Sequence, residues 1–218
     1  MKITIPRMAA WSSEQQDDTQ LRVTRDGLTY ADGEQPEDRC DQGFLWPRTG
    51  TSPGVGTVQF DRPHPYRQRQ AMAELLCQVC FSPATRSNLG VLWLLHDHWG
   101  EWPNWPEGMG STEPPVCADC VYASATGCRS LRQTGIALYW VGQQPLFGVQ
   151  GKIITRDPLS GKLRAAGSGI YEPTVTLARH VLAMKSVRSL EHCTPVSRSY
   201  LRTLLRAGNC SPVARRSA

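Results

Sequence analysis

The sequence predicts an α+β fold with a four-cysteine metal site at its centre. The first observation is a pair of Cys-x-x-Cys motifs, at residues 77–80 and 117–120. The second is the presence of 19 Gly and 16 Pro among short apolar segments, which favours many turns and short strands. The third is helical periodicity at residues 65–76 and 174–193. We therefore expect a metal-stapled centre with flanking β-hairpins and a C-terminal helix.

The composition is that of an ordinary globular protein. Of the 218 residues, 40% are apolar and 20% are charged, which is enough apolar material for a buried core. The first residues lack the apolar run of a signal peptide, and the most apolar stretch, residues 91–95, is far shorter than the roughly 20 residues that span a bilayer. We expect a soluble, cytoplasmic protein without a membrane partner, in which the eight cysteines are thiols rather than disulfides.

Three consecutive regions are predicted along the chain. Residues 1–62 mix short extended segments with polar loops, and a hairpin is expected around the turn Asp26-Gly27. Residues 63–195 contain both cysteine pairs and are predicted to form the metal-centred α+β domain. Residues 196–218 are rich in Ser and Arg and are predicted to form a basic, flexible tail.

The periodicity of the central region predicts two helices and a hairpin. In residues 65–76 the apolar side chains share a helical stripe that leads directly into Cys77. Residues 146–172 contain two extended segments around a Pro- and Gly-containing turn, which predicts a hairpin. Residues 174–193 are predicted to form the C-terminal helix because four apolar side chains follow helical spacing, namely Leu177, Val181, Met184 and Val187.

The two cysteine pairs predict a closed metal site. Each pair forms a tight turn that directs both sulfurs to one ion, and two pairs supply the four soft ligands of tetrahedral zinc. Because no position is left for water, the expected role of the ion is structural, with an iron–sulfur cluster or a redox dithiol as alternatives. A helix is expected after the second pair, so the layout favours a treble clef, with a zinc ribbon as the other option. The predicted ligands of Zn²⁺ are Cys77, Cys80, Cys117 and Cys120.

Three nearby side chains are alternative ligands, since Cys128, His96 or His98 could replace one of the four cysteines. The segment from His96 to His98 also resembles the HNH nucleases, in which zinc supports a ββα unit and one His activates water. In that family a later His or Asn on the helix completes a catalytic metal site, but residues 121–131 contain neither. No catalytic residue is therefore predicted, and an enzyme is the less favoured class.

A second resemblance covers residues 20–155. The segment RQRQAMAELLCQVC, the turn WPEG and the segment PPVCADC with a further cysteine at Cys128 resemble a group of uncharacterised actinobacterial proteins of the paired Cys-x-x-Cys, zinc-binding type. The resemblance implies a zinc site that includes both pairs and brings Cys128 into the same unit. It implies no activity.

Charge is divided unevenly along the chain. Residues 1–128 contain ten Lys or Arg against 16 Asp or Glu, whereas residues 129–218 contain 14 against three. A basic C-terminal half suits a polyanion, because neutralised phosphates release counterions. An acidic front half that packs on a basic back half is the alternative interpretation. The predicted phosphate-binding residues are Arg188, Arg198, Arg202, Arg206, Arg215 and Arg216.

These observations predict a zinc-stabilised nucleic-acid-binding protein with a regulatory or accessory role. A protein-interaction or scaffold module is the main alternative, and it would bind a protein partner instead. A metal-dependent nuclease of the HNH type, or a small tailoring enzyme, is a further alternative.

Overall fold

The structure is a computed structural model and describes residues 4–39 and 42–206. Cys40, Cys210, Arg215 and Arg216 lie outside the described residues. The fold is α+β, as predicted, and its strand pairing is mostly antiparallel. None of its described helices has the length and apolarity that a membrane-spanning helix requires.

The strands are short in the first third of the chain and longer towards its end. They are β1 (Ala9–Trp11), β2 (Gln16–Asp17), β3 (Leu21–Val23), β4 (Leu28–Tyr30), β5 (Arg48–Thr49), β6 (Val58–Pro63), β7 (Arg86–Ser87), β8 (Gly90–His96), β9 (Met109–Ser111), β10 (Ile136–Gln143), β11 (Leu146–Arg156), β12 (Leu163–Tyr171) and β13 (Val181–Pro195). The α-helices are α1 (Pro65–Glu74), α2 (Ala118–Gly127), α3 (Arg129–Thr134) and α4 (Arg198–Arg206).

The chain divides into two compact units, each built from separate stretches. The first unit contains residues up to Met8, Gln70–Pro145 and the chain from Ser189 onwards. The second contains Ala9–Arg69 and Leu146–Arg188. These boundaries do not coincide with the predicted ones at residues 62 and 195, and the three-region division stays a prediction.

In the first unit, strand β8 is buried on both sides. It pairs antiparallel with β7 and with β10, and β10 also pairs with residues 191–195 of β13. Leu92 and Leu94 face the cluster that contains the paired cysteines, while Val91, Trp93 and Leu95 face a second cluster with Trp105. Successive side chains of a strand point to opposite faces, so a strand covered on both faces has the continuous apolar run seen here.

In the second unit, β11 pairs antiparallel with β12 and with residues 181–188 of β13. The pairs β1–β6, β2–β5 and β3–β4 complete its strands. The predicted hairpins around Asp26-Gly27 and within residues 146–172 are therefore present. Its two apolar clusters gather around Leu45 and Phe44, which are fully buried.

The predicted helix at residues 174–193 is wrong. Residues Thr176–His180 form a 3₁₀ turn, and the following residues form β13. The buried residues of β13 fall at 181–183, 186–187 and 190, which imitates helical spacing. The register between β11 and β13 shifts twice. Such irregularities interrupt the strict alternation of buried and exposed residues by which a strand is recognised in sequence.

The predicted flexible tail also contains a helix. Residues Arg198–Arg206 form α4, which packs its apolar side chains against the cluster that contains the paired cysteines. Leu204 is buried, and Tyr200, Leu201 and Leu205 are partly buried there. The spacing of these apolar residues is helical, but the arginines and serines around them give the segment the composition of a flexible tail. Residues 207–218 of the predicted tail lie outside the described residues.

Candidate metal centre

The first cysteine pair lies in a tight turn that follows α1. Leu75, which follows the last residue of the helix, has a φ of 54°, and the amide of Leu76 donates to the Ala71 carbonyl, as in a Schellman motif. Two further backbone bonds close the turn, from Cys77 to the Ser82 carbonyl and from Phe81 to the Cys77 carbonyl. The turn therefore presents the side chains of Cys77 and Cys80 towards the same side.

The second pair lies at the beginning of α2. Cys117 is the N-cap residue, with extended backbone angles, and Cys120 lies in the first turn of the helix. The amide of Cys120 donates to the Cys117 carbonyl at 3.0 Å. The helix dipole places partial positive charge at this end of the helix, next to both sulfurs.

Backbone hydrogen bonds join the two pairs directly. The amide of Gln78, inside the first turn, donates to the Pro115 carbonyl at 3.0 Å. The Val116 amide donates to the Leu92 carbonyl, and the Leu92 amide donates to the Thr85 carbonyl. Strand β8 thus holds the residue that precedes Cys117 against the segment that follows the first pair.

The four sulfurs converge at one point. The Sγ atoms of Cys77, Cys80, Cys117 and Cys120 all lie within 4.8 Å of one another, and those of Cys80 and Cys117 are 3.6 Å apart. Tetrahedral zinc with bonds of about 2.3 Å separates its sulfur ligands by about 3.8 Å. Cys80 is half-buried and the other three are buried. The four cysteines are close enough to hold a metal ion, and their soft donor set fits one.

The charge states of Cys77, Cys117 and Cys120 depend on one another. Hydrogen bonds from the thiols of Cys117 and Cys120 lower the pKa of Cys77 to about 2. Contact with Cys120 by itself lowers the pKa of Cys117, but Cys77 and burial outweigh it and raise that pKa to about 12. Hydrogen bonds to Cys117 and Cys77, together with burial, strongly raise the pKa of Cys120. The negative charge of one thiolate thus disfavours ionisation of the neighbouring thiols, because like charges repel. A divalent cation relieves that repulsion when it replaces their protons.

The alternative ligands lie elsewhere. Cys128 is exposed and caps the far end of α2, a helix of ten residues and therefore about 15 Å long. His96 Nδ1 lies 2.8 Å from the Thr134 hydroxyl, and His98 Nδ1 lies 2.8 Å from a carboxylate oxygen of Glu101. Within the described chain, the group of side chains arranged to hold a metal is the four-cysteine cluster, without these three residues.

The tryptophan-rich loop surrounds His98. The imidazole stacks on Trp102 with ring centroids 6.3 Å apart, and Trp105 packs against both rings. Trp105 is buried, whereas Trp99 is 77% exposed. His98 therefore belongs to an aromatic cluster, which accounts for its position without a catalytic ion.

The predicted phosphate-binding arginines are placed in different parts of the fold. Arg188 is half-buried on β13 in the second unit, and burial lowers its pKa. Arg202 and Arg206 are exposed on α4 in the first unit, on the same helix as Arg198. Sequence reasoning missed Arg129 and Arg132, which are exposed on α3. The sequence signal for these two arginines was their three-residue spacing, which places both on one face of a helix, in the segment that follows the second cysteine pair.

Comparison with known protein families, curated proteins and solved structures finds no match to this chain.

Proposed function

We propose that a zinc ion bound by the four cysteines staples the first unit as a treble-clef-like element. The order of parts supports this: a tight turn with two thiols, the β7–β8 hairpin, and a helix whose N-terminus supplies the other two. Because four buried or half-buried thiolates complete the tetrahedron, the ion has no open position for substrate or water. Its role is structural.

We propose further that this unit binds nucleic acid as an accessory protein. The observation that carries the proposal is a set of exposed arginines on helices that pack against the cysteine cluster. Helices α3 and α4 bury Leu131 and Leu204 in that cluster and carry cations on their outer sides. In the described part of the chain these arginines form no ion pair, so their charge is available to phosphates; they are Arg129, Arg132, Arg202 and Arg206.

The acidic groups of the front half support the same proposal. Glu14 is paired with Arg67, and Asp38 is paired with Arg48, so the most buried acids of residues 1–128 have cationic partners from that same half. Glu34 pairs with Arg39 in the same way. These three carboxylates have cationic partners close by, so they are not groups that would neutralise the basic half.

The experiment is a salt titration of binding to a fluorescent duplex DNA. Non-specific binding should have a Kd of about 10⁻⁴ to 10⁻⁶ M at physiological salt. Replacing two arginines in Arg202→Gln/Arg206→Gln should reduce the slope of log K against log salt by about 1.8, because each phosphate contact contributes about 0.9. Neutralising substitutions are preferable to removal of residues 196–218, since truncation would also remove α4 and uncover the apolar cluster on which it packs.

The matched control is Arg25→Gln/Arg86→Gln, which removes two exposed arginines outside α3 and α4. It should leave the slope nearly unchanged. Equal loss in both variants, or no binding by the native protein at low salt, would contradict the proposal. If the native protein does not bind DNA at low salt, the scaffold alternative is favoured. The exposed Trp99 is then the first side chain to test for contact with a protein partner.

A further inference from the structure

The second unit contains a groove whose rim is basic and whose floor is apolar. Its volume is about 570 Å³, within the range of about 300 to 1,000 Å³ typical of small-molecule sites. Strands β3, β11, β12 and β13 all contribute residues to it. The groove is separate from the four cysteines, which belong to the first unit.

Cations from three strands line the rim. Lys152 and Arg156 come from β11, where they occupy alternate positions on either side of Ile154. Arg22 comes from β3 and Arg164 from β12. All four are exposed, and Asp18 is the sole acid among the described lining residues. The rim therefore has an excess of three positive charges.

Most of this charge is not neutralised by the protein. Arg22 and Arg156 donate to backbone carbonyls, those of Leu21 and Gly161, which are neutral acceptors. Arg164 has a carboxylate partner in Asp157, but the ion pair is long, at 3.7 Å, and exposed. Asp18 accepts a hydrogen bond from Gln16 at 2.6 Å. Four cations held close together with fewer counter-charges favour an anionic ligand.

The apolar floor of the groove adds a second requirement that a ligand must meet. Leu21, Ile154 and Leu182 are buried members of one apolar cluster, and they line the groove together with the half-buried Leu163 and Met184. Lys152 is directly opposite Leu182 in the β11–β13 register, so an apolar surface and a cation are adjacent. A bare inorganic anion would leave this floor uncovered, whereas an anion with a flat apolar body would cover it.

We propose that this groove binds a nucleoside phosphate, with the base over the apolar floor and the phosphates on Lys152, Arg156, Arg22 and Arg164. The phosphate can come from a free nucleotide or from the end of a single nucleic-acid strand. Either source offers the same chemistry. The inference does not depend on the basic helices α3 and α4.

The test is isothermal titration of the full-length protein with ATP, with inorganic triphosphate and with a 5′-phosphorylated octathymidylate. The variant Lys152→Glu/Arg156→Glu should weaken ATP binding by at least about tenfold, since it removes two charge-assisted contacts. The control Arg25→Glu/Arg179→Glu changes the charge equally at exposed residues of the same unit outside the groove, and it should bind ATP like the native protein. Inorganic triphosphate should bind more weakly than ATP. Whichever of ATP and the oligonucleotide binds more tightly identifies the source.

Three results would overturn the proposal: no binding of either nucleoside phosphate, equal loss of affinity in the two variants, or equal affinity for ATP and inorganic triphosphate. Unchanged thermal melting of both variants establishes that they are folded. The variant Arg202→Gln/Arg206→Gln should retain ATP binding, so failure of the duplex-binding proposal remains distinguishable from failure of this one.

Discussion

The side-chain oxygen of Thr85 accepts a 2.8 Å hydrogen bond from the backbone amide of Ala118. Ala118 is the first residue of α2 and follows Cys117, whose own side chain makes no capping hydrogen bond. Thr85 therefore acts as a helix cap supplied by a distant segment of the chain. The bond joins the segment after the first cysteine pair to the helix that carries the second.

Replacement of Thr85 tests this link. Thr85→Val keeps the shape of the side chain but leaves the Ala118 amide without its acceptor, so we expect a loss of about 1 kcal/mol in the free energy of unfolding. Urea denaturation measures it. Thr203→Val is the control, because the Thr203 hydroxyl is exposed and bonds only within α4; its effect should be within about 0.5 kcal/mol. Equal effects would show that the link is unimportant.

A buried ion pair stabilises the second unit. Glu14 is fully buried and pairs with Arg67 at 2.7 Å, and Arg67 is only 13% exposed. Glu14→Gln leaves the guanidinium without a counter-charge, so we expect destabilisation by about 3–5 kcal/mol in chemical denaturation. Glu34→Gln breaks a more exposed pair with Arg39 and should change stability by about 1 kcal/mol or less. Similar values for the two variants would contradict the assigned role of burial.

The same pair predicts a pH dependence. Burial by itself raises the pKa of Glu14, but hydrogen bonds from Arg67 and the Trp11 amide outweigh it and lower that pKa to about 2. Because the folded-state pKa lies below the ordinary value of 4.5, the stabilisation is present above pH 4.5 and is lost as the pH falls towards 2. The difference in unfolding free energy between native protein and Glu14→Gln should therefore shrink over this interval. A difference that stays constant there would contradict the account.

The segment around His98 should not support nuclease activity. Its imidazole is hydrogen-bonded to Glu101 and packed in the tryptophan cluster, and no His or Asn follows on α2 to complete a catalytic site. We expect no cleavage of plasmid DNA with Mg²⁺ or Mn²⁺ by the native protein or by His98→Ala. Metal-dependent nicking that disappears in His98→Ala would show that this expectation is wrong.

Local signals in the sequence identified the parts of the fold that depend on local geometry. The paired cysteines indicated a thiol cluster because two intervening residues force a tight turn, and Asp26-Gly27 indicated a hairpin because glycine tolerates a positive φ. The Leu75 conformation that ends α1 had no such signal, since leucine seldom adopts a positive φ.

Strand β13 could not be predicted from local sequence, because long-range pairing determines its conformation. Its identity as a strand depends on partners far along the chain, β10 and β11, and on register shifts that no local pattern encodes. The link between Thr85 and Ala118 has no local sequence signal either, because the two residues are brought together by the backbone bonds that Leu92 of β8 makes to Thr85 and Val116. The rim of the basic groove likewise combines Arg22 with Lys152, and neither residue stands out by itself.

Metal analysis of the purified protein tests the central claim most directly. Native protein and Cys128→Ser should each bind one zinc ion per chain, because Cys128 is exposed at the far end of α2. Cys77→Ser should lose the metal and be destabilised on the order of 10 kcal/mol or fail to fold, and a strong chelator should unfold the first unit of the native protein. A soluble Cys77→Ser variant with native circular dichroism and melting temperature, or native protein that is stable without metal, would contradict the account.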